Sequence, residues 1–143
     1  MVLLLAHIRP VDRQLAGEAM TKISILLIED SREMRETIKS SLRGLDATFI
    51  ERDDGVQALA AYREHSPDWV LMDLEMKEMD GLTATSQIKS AYPEARIVIV
   101  TNFDDVVLRE AADKAGACGY VLKDNLIELQ ALLGGTCDDR ENV

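Results

Sequence analysis

The chain holds two cysteines in 143 residues, Cys118 and Cys137, and they form neither a CxxC pair nor the framework of a disulfide-stapled domain. Two thiols in a chain of this size suit a reducing compartment. Basic charge is also short: sixteen Lys and Arg stand against 26 Asp and Glu, a formal net charge of −10. A surface this acidic repels phosphate backbones and gains nothing from counterion release, which argues against direct nucleic-acid binding. Long apolar runs are missing as well. Val2-Leu3-Leu4-Leu5-Ala6 is too short for a signal-peptide core and follows no basic residue, and nothing reaches the length of a membrane span. There is no internal repeat and no low-complexity linker. Together these absences point to a cytoplasmic protein with no membrane contact.

What is present is the material of one packed domain. The length fits a single core, and 47% hydrophobic with 29% charged residues is the balance of a globular chain, not a disordered one. From Ile23 onward, short apolar runs alternate with amphipathic stretches, the pattern of βα units around a parallel sheet. Five strands are predicted: Ile23–Ile28, Ala47–Glu51, Trp69–Met72, Ile97–Val100 and Tyr120–Leu122. The first, third and fourth are almost continuously apolar, as strands covered by helices on both faces must be.

Apolar positions at three- and four-residue spacing give each intervening helix one face to bury: Met34, Ile38, Leu42; Val56, Leu59, Tyr62; Leu82, Ile88; Val107, Leu108, Ala111, Ala112; Leu126, Leu129, Leu132, Leu133. Ser31, Asp54-Gly55 and Asp80-Gly81 punctuate the helix starts, and Ala115-Gly116 closes the fourth helix. Residues 1–20 show no such period and are expected to be an upstream extension. The folded unit is expected over 21–134, with a tail at 135–143.

In a parallel βα fold the loops at the carboxyl edge of the sheet gather into one crevice. Glu29 and Asp30 follow the first strand, Asp73 the third, Thr101 the fourth and Lys123 the fifth. Singly, each is ordinary: an acid after a strand is usually a turn residue or helix cap, and a lone lysine is usually solvated. Jointly they are not. Like charges 4 Å apart repel by roughly 4 kcal/mol at an effective dielectric near 20, and an oxygen-ligating divalent ion is the natural offset. A carboxylate beside such an ion can attack phosphorus. A hydroxyl and an ammonium suit the charge that spreads over phosphoryl oxygens in the transition state.

The segments Ile25-Leu26-Leu27-Ile28-Glu29-Asp30-Ser31, Val70-Leu71-Met72-Asp73-Leu74-Glu75-Met76 with Met79-Asp80-Gly81, Val98-Ile99-Val100-Thr101 and Ala115-Gly116-Ala117-Cys118-Gly119-Tyr120-Val121-Leu122-Lys123 resemble, in order, the motifs of response-regulator receiver domains of two-component systems. The resemblance covers about residues 22–133. It implies a flavodoxin-like doubly wound (βα)5 fold with strand order 2-1-3-4-5. It implies Asp73 as phosphoacceptor, and Mg²⁺ or Mn²⁺ held by Asp30, by Glu29 through water, by Asp73 and by the backbone carbonyl of Glu75. Thr101 and Lys123 would bind phosphoryl oxygens, and Tyr120 would repack with Thr101 as the output switch. The implied partners are a histidine kinase or histidine phosphotransfer protein, a downstream protein target and a second copy of the chain.

Several positions depart from the family's common pattern. Glu29 stands for the usual first Asp, Lys77 for a Pro that stiffens the loop after Asp73, and Asn102 for a small residue. Asp124 replaces the frequent Pro after Lys123, so the family's cis bond there is not assumed. The Gly-Tyr-Val-Leu-Lys-Asp spelling resembles receivers fused to a LuxR-type helix-turn-helix, a domain this sequence does not contain. Two other functions are weighed beside a phosphorylation-activated switch that turns over no substrate but its own aspartyl phosphate. One is a receiver fold acting as a phosphorylation-independent interaction module. The other is a metal-dependent phosphatase with Glu75 as its second acid.

Overall fold

A computed structural model describes residues 22–134; the extension expected at 1–20 and the tail at 135–143 lie outside the described residues. Five strands form one parallel sheet in the order β2-β1-β3-β4-β5: β1 (Ile23–Ile28), β2 (Ala47–Arg52), β3 (Trp69–Met72), β4 (Ile97–Thr101) and β5 (Gly119–Leu122). The helices are α1 (Arg32–Ser41), α2 (Ala58–His65), α3 (Gly81–Ala91), α4 (Val106–Ala115) and α5 (Ile127–Leu133), with single 3-10 turns at Gly55–Gln57 and Lys123–Asn125. The expected fold and strand order are both found.

Alternation along the strands splits the core into two layers, because successive side chains leave opposite faces of the sheet. Leu26, Ile28, Val70, Met72, Ile97 and Ile99 pack on one face against Ala58, Tyr62, Ala84, Ile88 and Ala112 of α2, α3 and α4. Ile25, Leu27, Trp69, Leu71, Val98, Val100 and Val121 pack on the other against Ile38 of α1, Leu42 just after it, and Leu129 and Leu133 of α5. With helices on both faces, β1, β3 and β4 have no polar side to show, which is why they read as continuous apolar runs.

Helix boundaries follow local chemistry. Ser31 accepts from the Met34 amide, Asp80 from Thr83 and Asp105 from Leu108, each satisfying a donor that the first turn leaves open. Gly116 ends α4 in the left-handed region at φ 107°, where a side chain would be strained.

Two expected helix faces are corrected. Val107 is 72% exposed and Val106 70%, because α4 rests on Ala112 and the half-buried Leu108, a pair one turn apart, and the two valines before Leu108 point about 100° and about 160° away from it. Val56 lies in the 3-10 turn before α2, half exposed, and leaves Ala58, Ala61 and Tyr62 to make the contact. A third correction concerns Cys118, expected as a thiol and found disulfide-bonded just before β5. Sulfur pairing depends on Cα atoms lying within about 7 Å, a tertiary distance that spacing along the chain does not carry. No helix among the described residues is long and apolar enough to cross a membrane.

Candidate functional site

Strand register puts the polar residues side by side. Ile28 pairs with Met72, so Glu29 and Asp73 leave the sheet together, and the Asp73 amide donates to the Ile28 carbonyl at 3.0 Å. Leu122 pairs with Thr101, so Lys123 emerges one residue beyond the end of β4. Carboxylate oxygens of Glu29, Asp30 and Asp73 all lie within 4.8 Å of one another. Glu29 is 1% exposed and Asp73 5%, whereas Asp30 faces solvent.

One cation serves the two buried acids. Lys123 Nζ stands 2.8 Å from Glu29 Oε1 and 3.1 Å from Asp73 Oδ1. The Ser31 amide donates to Glu29 Oε2 and the Leu74 amide to Asp73 Oδ1. Burial pushes the Asp73 carboxyl above its ordinary value, and the nearby Asp30 adds to this while Lys123 opposes it. Burial likewise raises Glu29, against the pull of Lys123 and the Ser31 amide. Burial lowers Lys123, but the facing carboxylates of Glu29 and Asp73 outweigh it and hold the ammonium charged to higher pH. The shifts agree with each other: two buried carboxylates share a single ammonium, so negative charge is in excess and every proton is held harder.

The donor set fits a hard divalent cation. Three carboxylates converge, and the two buried ones share the single Lys123 ammonium, so negative charge at the cluster is left uncompensated. Oxygen ligands with residual negative charge are what Mg²⁺ and Mn²⁺ require. Glu75, whose carbonyl the resemblance assigns to the metal, has an exposed side chain that is not in the carboxylate cluster. The second acid that a phosphatase would need is therefore not gathered with Asp73.

Thr101 is buried at the end of β4, and its Oγ1 accepts from the Phe103 amide at 3.2 Å, leaving its own proton for another acceptor. Tyr120 donates its hydroxyl to the Phe103 carbonyl at 2.7 Å. The two residues expected to switch therefore hold opposite sides of one residue's backbone. Arg109 stacks over the Tyr120 ring at 4.5 Å and pairs with Asp104 at 3.1 Å. Burial raises the Tyr120 hydroxyl pKa.

Sequence reasoning missed Phe103 and Arg109, and also Arg35. The Arg35 guanidinium donates to the Glu29 carbonyl at 2.7 Å and pairs with Glu51 at 3.0 Å, tying the loop after β1 to β2. Nothing in the helical period of α1 marks that arginine among its charged neighbours. Lys77 and Asn102 are both exposed, and the Lys123–Asp124 peptide is trans, like every bond among the described residues.

Comparison with known proteins agrees with this geometry. The family model for the response regulator receiver domain matches residues 25–133. The chemotaxis protein CheY of Bacillus subtilis is 39% identical over 101 residues, which is 69% of this chain and 83% of that protein. The crystal structure of a LuxR-family two-component response regulator from Aurantimonas superposes with a TM-score of 0.72 at 30% identity, covering 85% of this chain and 94% of that one. At 23% identity, the Mn²⁺-bound form of response regulator Rcp1 shares the fold, with a TM-score of 0.66 over 76% of this chain and 90% of that one.

Proposed function

Since this chain belongs to the response regulator receiver domain family, we propose that it is a signalling switch activated by phosphorylation of Asp73 with the help of Mg²⁺ or Mn²⁺. The observation that carries the proposal is the buried Asp73 carboxylate sharing one ammonium with Glu29 inside a cluster that Asp30 completes. Lys123 and the Leu74 amide both engage Asp73 Oδ1, which leaves Oδ2 as the oxygen that attacks. The Oδ2–P bond forms as the bond from phosphorus to the donor's imidazole nitrogen breaks, and the departing imidazole takes up a proton. An ionised carboxylate needs no general base.

A divalent ion held by Asp30, Asp73, the Glu75 carbonyl and, through water, Glu29 would neutralise charge on the phosphoryl oxygens. Lys123 neutralises a further oxygen from a position it already occupies beside Asp73. Thr101 has its hydroxyl proton to offer, and turning to give it to a phosphoryl oxygen would shift Oγ1 relative to the Phe103 amide that it accepts from. The Tyr120 bond to the same residue then changes, which transmits the event to the surface.

On this reading the phosphodonor is a histidine kinase or a histidine phosphotransfer protein. The listener is a downstream protein or a second copy of the chain, and neither nucleic acid nor membrane is bound directly. The receiver unit is assigned to residues 21–134, with 1–20 upstream of it and 135–143 beyond it. Incubation with acetyl phosphate and Mg²⁺ should add one phosphate by intact mass. Asp73→Asn should abolish the addition, and undiminished labelling in that variant would refute the assignment.

A further inference from the structure

β2 contributes no carboxylate to the acidic cluster, yet its end touches both loops that do. Arg35 ties Glu51 to the loop after β1. The loop after β3 is held by Asp54, which is 8% exposed two residues beyond β2. Asp54 Oδ2 accepts from the Glu78 amide at 2.8 Å, and Oδ1 from the Met79 amide at 3.1 Å and the Val56 amide at 2.9 Å. β2 and β3 flank β1 and do not pair with each other, so this carboxylate is a bridge across the sheet's edge.

The approach is close on both sides. A Cβ at Gly55 would lie 2.5 Å from the Met79 carbonyl oxygen, so a side chain there would force the loop away. At its far end the loop is closed by the Gly81 amide donating to the Leu74 carbonyl, and a Cβ at Gly81 would lie 2.0 Å from the Asp73 carbonyl oxygen. Burial alone would raise the Asp54 pKa. The amides of Glu78, Val56, Met79 and Lys77 overcome it and leave the carboxyl below its ordinary value. The Lys77 amide exists only because this position is not proline. Where a proline would stiffen the loop through its ring, this chain leaves the loop to be held by the Asp54 carboxylate through the amides that follow.

We propose that Asp54 is a positioning residue for the phosphorylation site: by gripping the Glu78 and Met79 amides it holds the loop after Asp73, and so the Glu75 carbonyl, where the acidic cluster can use it. This rests on the metal-dependent reading of that cluster. A charge-assisted acceptor of several backbone donors is among the stronger local restraints available, and a misplaced ligand weakens a site whose other groups are intact.

The test is Mg²⁺ titration by NMR together with amide hydrogen exchange on the full chain. In Asp54→Ala the Glu78 and Met79 amides should lose at least tenfold protection and the Mg²⁺ Kd should rise about tenfold, the range expected for a supporting group. Asp54→Asn, which keeps one acceptor oxygen and guards against loss of fold, should fall between. Adding Lys77→Pro to Asp54→Ala should recover Mg²⁺ affinity by stiffening the loop through the ring. Leu133→Ala, which destabilises the opposite core layer, should leave the Kd within twofold and so separates positioning from general instability. An unchanged Kd in Asp54→Ala, with wild type still binding Mg²⁺, overturns this role and leaves the proposed function standing. Absence of Mg²⁺ binding by wild type overturns both.

Discussion

The two sides of the carboxyl edge are built on opposite principles. At the ends of β1, β3 and β5, Glu29, Asp73 and Lys123 are nearly closed off from solvent, with side-chain exposures of 1%, 6% and 9%. Next to them, past the end of β4, Asp104 in the loop and Arg109 in α4 are 71% and 41% exposed, and the polar partners of Tyr120 are a carbonyl and a guanidinium at the surface. Low effective dielectric makes the first set strong and stiff. Solvent screening makes the second weak and cheap to rearrange. The difference suits a switch, with charge chemistry where small changes have large energies and motion where moving costs little.

The comparison is broken most severely by Lys123→Ala. Removing one partner of a buried ion pair costs about 3–5 kcal/mol, because the remaining charges stay buried without compensation. In EDTA the melting midpoint should fall by roughly 10 °C or more. Mg²⁺ should restore part of the loss by supplying positive charge to the same carboxylates. Equal losses with and without Mg²⁺ would mean that Lys123 acts by packing and not by charge.

Asp73→Asn probes the same pocket from the other side. Its carboxyl is raised by burial, and Glu29 shares the condition, so their contribution to stability is fully present below the ordinary carboxylate range and is lost as pH rises through the raised values. Asp54 and Glu51 behave oppositely: both are lowered, Asp54 by backbone amides and Glu51 by Lys39 and Arg35, so their contribution is lost as pH falls. Without metal, Asp73→Asn should therefore melt a few degrees higher than wild type at about pH 8, and the gain should shrink towards about pH 4. Thermal melts across that range check this, and a gain independent of pH would contradict it.

The smallest effect belongs to the exposed side. Arg109→Ala removes a surface ion pair and a stacking contact worth together about 1 kcal/mol or less, so the melting midpoint should move by only a few degrees. The Tyr120 ring resonances should shift clearly nonetheless, because the group that covers the ring is gone. Unmoved Tyr120 resonances would show that Arg109 does not cover the ring in solution.

The buried, stiff parts were also the most legible in sequence. Strands β1, β3 and β4 announce themselves because both faces are covered, and the carboxyl-edge residues follow directly from where those strands stop. Asp73, Glu29 and Lys123 are brought into contact as a parallel sheet requires. Illegible features depend on which elements become neighbours. The grips of Arg35 and Asp54 span sixteen to 25 residues and look like ordinary helix-surface and turn residues in isolation. Val107 and Val56 misled because apolar residues can continue past the edge of a buried face. The disulfide at Cys118 likewise required distances that spacing does not encode.

In the proposed switch, charge chemistry in the buried pocket moves the exposed side. Titration with beryllofluoride, a mimic of the aspartyl phosphate, in the presence of Mg²⁺ and followed by NMR tests it most directly. The amides of Asp73 and Lys123 should shift together with the Phe103 amide and the Tyr120 ring, at one common midpoint, and none of these shifts should appear in Asp73→Asn. Shifts confined to the pocket, with Phe103 and Tyr120 unmoved at saturation, would contradict it.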